Sequence, residues 1–163
     1  MSSIDELRAA MKAAQPSGRS AYVEEGKHLL EVKTLNCKHS LVEGKQKEAW
    51  IAEFNVIEST NPSHVAGTTR AYIEVPENQG WLGRFKSCLL ALLGVDPSGV
   101  VSPEAEKSIG DIFVALRYDE ERIKLGLPEN FMAGRRVVCE GSKGLSRKGG
   151  PVTNKLWSPT VAP

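Results

Sequence analysis

Alternation of apolar and polar residues with a period of two recurs along this chain, which is the pattern of strands that bury one face. It is clearest over residues 48–58, where one face is apolar and carries Trp50, Ala52, Phe54 and Val56. Weaker alternation marks residues 26–35, 68–75, 136–140 and 154–158. The pattern therefore predicts five strands.

A period of 3.6 residues replaces this alternation in the middle of the chain. Residues 81–92 form one apolar helix face with Trp81, Phe85, Cys88, Leu89 and Leu92, and Gly94 follows as a C-terminal cap. Ser102 and Pro103 are typical of the N-cap and first turn of a second helix. That helix is expected to bury Ile109, Ile112, Phe113 and Leu116. Residues 3–14 predict a short additional helix.

The order of these elements predicts the fold. Five strands with helices between the third and fourth are the arrangement of an oligonucleotide-binding (OB) barrel. We therefore expect a mainly β fold with helices (α+β), built as a five-stranded OB-fold barrel with a helical insertion between strands three and four. Residues 1–20 are expected to form an N-terminal arm, and residues 21–163 an OB-fold domain whose insert covers about residues 80–130.

Composition narrows the class of protein. The chain has 163 residues, 40% hydrophobic and 25% charged, which is ordinary for one globular domain. Three cysteines about fifty residues apart fit neither a disulfide framework nor a zinc site, so free structural thiols are expected. No stretch predicts a signal peptide or a membrane span, and we expect a cytoplasmic protein with no metal and no cofactor.

Charge is distributed unevenly along the chain. The formal net charge is only +1, yet residues 132–163 contain six basic residues and one acidic residue. Residues 102–130 show the opposite balance, with seven acidic residues and four basic ones. Affinity for a polyanion must therefore come from the position of the charges and not from their total.

Spaced hydrophobic residues and glycines give the chain a resemblance to bacteriophage single-stranded DNA-binding proteins, and more loosely to phage replication and recombination proteins built on the same barrel. The resembling positions are Tyr22, Gly26, Val32, Trp50, Ile51, Phe54, Val56, Glu58, Ser59, His64, Val65, Gly67, residues 85–94, Phe131, Gly134 and residues 154–159. The resemblance implies a DNA-binding protein without enzymatic activity that coats single strands during DNA replication or recombination in the cytoplasm of the host cell.

Binding a single strand without sequence preference takes cations for the phosphates and flat rings for the bases. In OB folds the ligand crosses strands two and three, between the loops that follow strands one and four. Nine candidate residues are expected along that path: Lys45 and Lys47 in the first loop, Arg70 and Tyr72 on the polar face of strand three, Lys143, Arg147 and Lys148 in the last loop, and Lys155 and Trp157 on the non-core side of strand five.

Structural roles are open for several of these residues. Tyr72 is also typical of a half-buried strand residue, and Trp157 of a structural plug. Lys45 and Lys47 are also typical of solvated turns. Trp50 and Trp81 are expected in the core, because they lie on apolar faces.

Two other classes of function are open as well. The acidic insert is a candidate surface for replication, recombination or host proteins. A nuclease or recombination enzyme would need clustered carboxylates or a nucleophile with a histidine, and no stretch of the sequence supplies either. Competition from RNA and formation of an oligomer are both compatible with the sequence.

Overall fold

A computed structural model describes residues 3–13, 22–145 and 151–160 of the chain. Its elements are, in chain order, α1 (Ile4–Ala13), β1 (Gly26–Val42), β2 (Lys45–Ser59), β3 (Thr69–Glu74), α2 (Trp81–Leu92), α3 (Pro103–Arg117), α4 (Asp119–Lys124), β4 (Arg136–Leu145) and β5 (Pro151–Pro159). All five predicted strands are present. The α+β class and the helices between the third and fourth strands are confirmed.

The strands form one antiparallel sheet in the order β3-β2-β1-β4-β5. β1 is central because its first residues, Gly26–Glu31, pair with β4 while residues 28–42 pair with β2. Closing a sheet into a barrel requires its two edges to pair. Within the described residues β3 and β5 do not pair, so the predicted closure is not found and the sheet is open between these strands.

The first hairpin is longer than the alternation predicted, because β1 continues to Val42 instead of ending near residue 35. Glu43 and Gly44 make the turn, with φ of 53° and 76°. Two successive residues with positive φ form tight turns whose twist matches that of paired strands. Five residue pairs, from Lys38↔Ala49 to Val42↔Lys45, therefore extend beyond the neighbouring strands.

The helical insert packs onto the sheet through α2, which contacts β3, β4 and β5, and through α3, which contacts β1. Gly94 follows α2 with a φ of 82°, as its predicted capping role requires. Ser102 caps α3, since its Oγ accepts the N–H of Ala105 at 3.1 Å. The helix predicted from Ser102 is present as α3, and Tyr118 adopts an extended conformation between α3 and α4.

Aromatic rings join the sheet to this insert. Trp50 of β2 is 2% exposed, and its ring stacks on Phe113 of α3 with centroids 4.4 Å apart. Phe85 and Trp81 of α2 lie 5.3 and 6.0 Å from the same ring. The predicted core positions of Trp50 and Trp81 are confirmed, with Trp81 partly buried at the edge of the cluster.

The N-terminal helix α1 is set apart from these elements. Ser3 and Glu6 cap it reciprocally, since each side chain accepts the backbone N–H of the other residue. No described element packs against α1, and Ile4, Leu7 and Met11 are mostly exposed. None of the described helices is both long and apolar enough to span a membrane.

Candidate nucleic-acid interface

The hairpin of β4 and β5 carries the most one-sided charge in the molecule. Pairing between β4 and β1 stops at Gly141, and the next four pairs, from Ser142↔Asn154 to Leu145↔Pro151, lie beyond β1. The hairpin therefore projects by about 13 Å, at about 3.3 Å per residue. Residues 141–160 contain four basic residues and no acidic one. Of the four, Lys143 and Lys155 are described, whereas Arg147 and Lys148 lie outside the described residues.

Lys143 is the accessible cation of this hairpin, with 81% of its side chain exposed. Its ammonium lies 3.4 Å from the carboxylate of Glu25, which is 48% exposed. Exposed pairs of this kind contribute only about 0–1 kcal/mol, so a phosphate can replace Glu25 at small cost. The pair borders an open cleft of about 520 Å³, lined by Glu24, Glu25, Lys143, Gly144, Leu145, Val152 and Thr153.

Lys155 is more sheltered than Lys143, and its predicted position on the non-core side of β5 is wrong, because it shares a face with buried Trp157. Its ammonium lies 5.4 Å from the ring centroid of Tyr72 and donates to the carbonyl oxygen of Thr153 at 3.4 Å. Burial lowers the pKa of Lys155. The charge is held over an aromatic face in the gap between β3 and β5, where a phosphate has less access than at Lys143.

Lys45 and Lys47, expected in the first loop, are strand residues of β2 beside the tip of the other hairpin, and both are exposed. Lys47 lies 3.2 Å from the carboxylate of Glu77, whereas Lys45 has no ion pair among the described residues. The two hairpin tips lie towards opposite ends of β1, whose 17 residues alone span about 53 Å at about 3.3 Å per residue. The structure does not bring these lysines near Lys143.

The predicted outward position of Arg70 and Tyr72 is wrong. Both side chains are 4% exposed and point into the core, as does Glu74, while Thr69, Ala71 and Ile73 take the outer face of β3. A polar face can turn inward only if its polar atoms find partners there. Burial removes Arg70 as a direct phosphate contact and Tyr72 as a stacking surface.

Buried partners account for this reversal. Arg70 donates from Nη1 to the carbonyl oxygen of Tyr22 at 3.1 Å and from Nη2 to that of Ser63. Arg84 of α2 donates to both carboxylate oxygens of Glu74, at 2.9 and 3.0 Å. The Tyr72 hydroxyl donates to the same carboxylate, and burial together with this bond raises the pKa of Tyr72. The polar residues of β3 thus connect the sheet to α2 and to the chain segments at Tyr22 and Ser63.

The predicted outward position of Trp157 is also wrong, since this side chain is 3% exposed. Its ring centroid lies 4.8 Å from that of Tyr72 and 5.8 Å from that of Phe54. Trp157 therefore fills the space between β5 and β3, where these strands face each other without pairing. Its role as a structural plug was the alternative left open by the sequence.

The outer face of β2 and β3 lacks the chemistry expected of the groove. Over residues 51–57 of β2 and along β3, the outward residues are Ile51, Glu53, Asn55, Ile57, Thr69, Ala71 and Ile73, without a lysine, an arginine or an aromatic ring. Cations and accessible rings must come from elsewhere in the molecule. The described candidates are the two hairpins and the chain segment that precedes β1.

Residues 22–25, which we call the entry segment, were missed as a site by the sequence reasoning. Tyr22 bridges Ala71 in parallel, and the N–H of Val23 donates to the Ala71 carbonyl oxygen at 3.0 Å. Glu24 and Glu25 continue into the wall of the cleft opposite Lys143. These four residues show no clear alternation of apolar and polar side chains. The sequence alone therefore does not indicate that the entry segment pairs with the edge strand β3.

Two buried histidines fix the entry segment to the body. The rings of His28 and His64 stack with centroids 4.3 Å apart. His28 lies 2.9 Å from the Glu24 carbonyl oxygen, and His64 accepts the Glu24 N–H at 3.0 Å. Burial, followed by the charges of Arg70 and His28, lowers the pKa of His64 to about 4. His64 is therefore a neutral acceptor near pH 7.

The described residues offer few groups for metal binding or for reactions at a thiol. The three cysteines are free thiols, and burial raises the pKa of Cys139 to about 12. Within the described residues, no three side chains of His, Cys, Asp or Glu are grouped as metal ligands. No protein-family model and no curated protein matches the chain.

Proposed function

We propose that this protein binds single-stranded DNA largely independently of sequence and without enzymatic activity, and that it acts in phage DNA replication or recombination in the cytoplasm of the host cell. The observation that carries the proposal is the projecting β4–β5 hairpin, with four basic residues and no acidic residue over residues 141–160. Phosphates are the ligands that such a segment favours, because each contact releases condensed counterions.

The strand order supports an OB-type fold as part of the same proposal. OB folds are five-stranded and partly open. Here β3 and β5 are the sheet edges, and the rings of Tyr72 and Trp157 approach to 4.8 Å across the gap between them. The long β1–β2 hairpin and the β4–β5 hairpin then correspond to the two loops through which such folds contact oligonucleotides.

Phosphate contact is proposed at Lys143 first, because this lysine is exposed and its one described ion pair is weak. Lys45 and Lys47 at the other hairpin are secondary contacts, reached only by a strand that runs the length of β1. Arg147 and Lys148 continue the basic run of the sequence beyond Lys143.

The test is a titration of labelled oligo-dT, followed by anisotropy at several salt concentrations. For single strands, the logarithm of affinity falls against the logarithm of salt with a slope of about 0.7 per phosphate contact. Lys143→Ala is expected to reduce the wild-type slope by about 0.7. Lys107→Ala is the matched control, because Lys107 is an exposed lysine of the acidic insert and has no described ion pair.

Equal slopes in the two variants would contradict contact at Lys143, and affinity that does not change with salt would contradict the whole proposal. A matched oligo-rU shows whether RNA competes. Turnover of the oligonucleotide that a chelator abolishes would instead support a nuclease.

A protein-docking function is favoured by a different surface. A cleft of about 550 Å³ between the first hairpin and the insert is lined by His39, Val114, Arg117, Tyr118, Asp119, Glu120 and Glu121. Tyr118, Ile123 and Leu125 are 53%, 67% and 46% exposed beside these acids. Apolar side chains rimmed by charge are typical of interaction sites. A pull-down of replication proteins would support this function if it persists after nuclease treatment and is lost in the Tyr118→Ala variant.

A further inference from the structure

Among the described tyrosine, phenylalanine and tryptophan side chains only two are exposed, Tyr22 at 45% and Tyr118 at 53%. The face of Tyr118 is occupied, since the Arg117 guanidinium carbon lies 4.8 Å from its ring centroid. Asp119, Glu120 and Glu121 follow it in the chain, and their carboxylates repel phosphate. No described aromatic ring packs on Tyr22. Tyr22 is thus the accessible ring outside the acidic insert.

The backbone holds Tyr22 in one position. Its carbonyl oxygen accepts from Arg70, and the next residue, Val23, donates to Ala71. Val23 is buried, so alternation directs Tyr22 to the outer face, beside the small side chain of Ala71. Because the backbone is already held, this segment loses little conformational freedom when a ligand stacks on the ring.

The charge near Tyr22 is mixed, because Glu24 and Glu25 follow it in the chain while a buried cation lies on its other side. The guanidinium of Arg70 is buried beneath this residue, bound to two carbonyl oxygens and to no carboxylate among the described ion pairs. Its uncompensated charge acts strongly through the protein interior. Three residues further along the entry segment, Glu25 contacts Lys143, at about 10 Å along an extended chain.

We propose that Tyr22 is a base-stacking residue for single-stranded DNA, and that the strand passes from Lys143 along the entry segment to this ring. This inference rests on the proposed function and deepens it. It replaces Tyr72 and Trp157, whose rings are in the core, with a ring that the sequence reasoning did not select.

The experiment compares Tyr22→Leu with Tyr22→Phe in the oligo-dT titration, because the two side chains are both apolar and differ in having a π face. Tyr22→Leu is expected to weaken binding by about 5- to 150-fold, which corresponds to about 1–3 kcal/mol per stacked base. Tyr22→Phe is expected to bind within about twofold of wild type, and the salt slope is expected to stay unchanged in both, since no phosphate contact is removed. Tyr118→Leu is the matched control.

An abasic oligonucleotide of the same length separates stacking from other effects. On this ligand, Tyr22→Leu and wild type are expected to bind equally. If the wild type binds oligo-dT and the Tyr22→Leu variant binds it equally well, the stacking role of Tyr22 is overturned while the proposed function still holds. A loss in Tyr22→Phe as large as in Tyr22→Leu would assign the contact to the hydroxyl and also overturn stacking. Failure of the wild type to bind would remove the proposed function itself.

Discussion

At the scale of single residues, the carboxylate of Glu25 and a phosphate of the DNA would compete for Lys143 in the proposed interface. Glu25 is the acidic residue that lies within ion-pair distance of Lys143 in the described structure. Glu25→Gln is expected to tighten oligo-dT binding by up to about fivefold, because a surface ion pair of about 0–1 kcal/mol no longer has to be broken. Anisotropy at fixed salt measures this change.

Glu58→Gln makes the same charge change at an exposed residue of β2 that has no described ion pair, and it is the control. Equal tightening in both variants would attribute the effect to net charge and not to the Glu25–Lys143 pair. Weaker binding in Glu25→Gln would show that the entry segment needs this carboxylate to keep its position.

A second residue-scale prediction concerns stability and pH. The pKa of His64 is lowered from 6.5 to about 4, so between these values the unfolded chain binds more protons than the folded one. The contribution of neutral His64 to the free energy of unfolding is therefore fully present above pH 6.5 and is lost as the pH falls towards 4. The slope from this residue is up to about 1.4 kcal/mol per pH unit. Urea unfolding at a series of pH values measures it.

His64→Gln keeps an acceptor for the Glu24 N–H and removes the titrating group, so its slope over this range is expected to be smaller than that of wild type. His39→Gln changes an exposed histidine and is expected to keep the wild-type slope. Identical slopes in all three proteins would mean that His64 is not the group responsible.

At the scale of elements, periodicity located every strand but not the direction in which each one faces. In β2 the apolar face is unambiguous, and Trp50 and Phe54 are buried as predicted. In β3 the polar face is the one that turned inward, and it was decided by partners distant in sequence, such as the Tyr22 carbonyl oxygen for Arg70. The sequence predicted Lys143 in a basic loop, whereas this residue lies in β4, and the sequence could not show that Tyr22 is held beside Ala71.

Gly141 of β4 is a second position where the sequence did not show the contacts that the fold imposes. The sequence around Gly141 suggests a flexible loop, whereas the structure places this residue in a strand crossed by the entry segment. A Cβ at residue 141 would lie 2.2 Å from the Glu24 carbonyl oxygen and 3.1 Å from a Thr153 methyl carbon. Gly141→Ala is therefore expected to destabilise the protein by about 1–3 kcal/mol through overpacking.

Gly110→Ala is the opposite case. A Cβ there meets no atom within 4 Å, and the residue lies inside α3. Alanine is favoured over glycine in a helix by about 0.5–1 kcal/mol, so this variant is expected to be more stable than wild type. Urea unfolding compares both substitutions, and a Gly141→Ala variant as stable as wild type would show that the entry segment can move away from β4.

At the scale of the whole molecule, basic and acidic charge lie in different elements. The β4–β5 hairpin has no acidic residue over residues 141–160, whereas residues 102–130 of the insert have seven. A net charge of +1 gives little general attraction for DNA. The proposed binding of DNA therefore depends on where the charges lie, chiefly in this hairpin, and the insert stays a candidate surface for other proteins.

This separation of charge predicts that position matters more than total charge. Replacing Glu120 and Glu129 of the insert with glutamine raises the formal net charge from +1 to +3, and neither residue is in a described ion pair. At 0.15 M salt, charges beyond about 8 Å are largely screened. The double variant is therefore expected to keep the wild-type salt slope and to bind oligo-dT within about twofold of wild type, less tightly than Glu25→Gln does. If the double variant bound more tightly than Glu25→Gln, the overall field of the protein, and not contact at the hairpin, would govern its affinity for DNA.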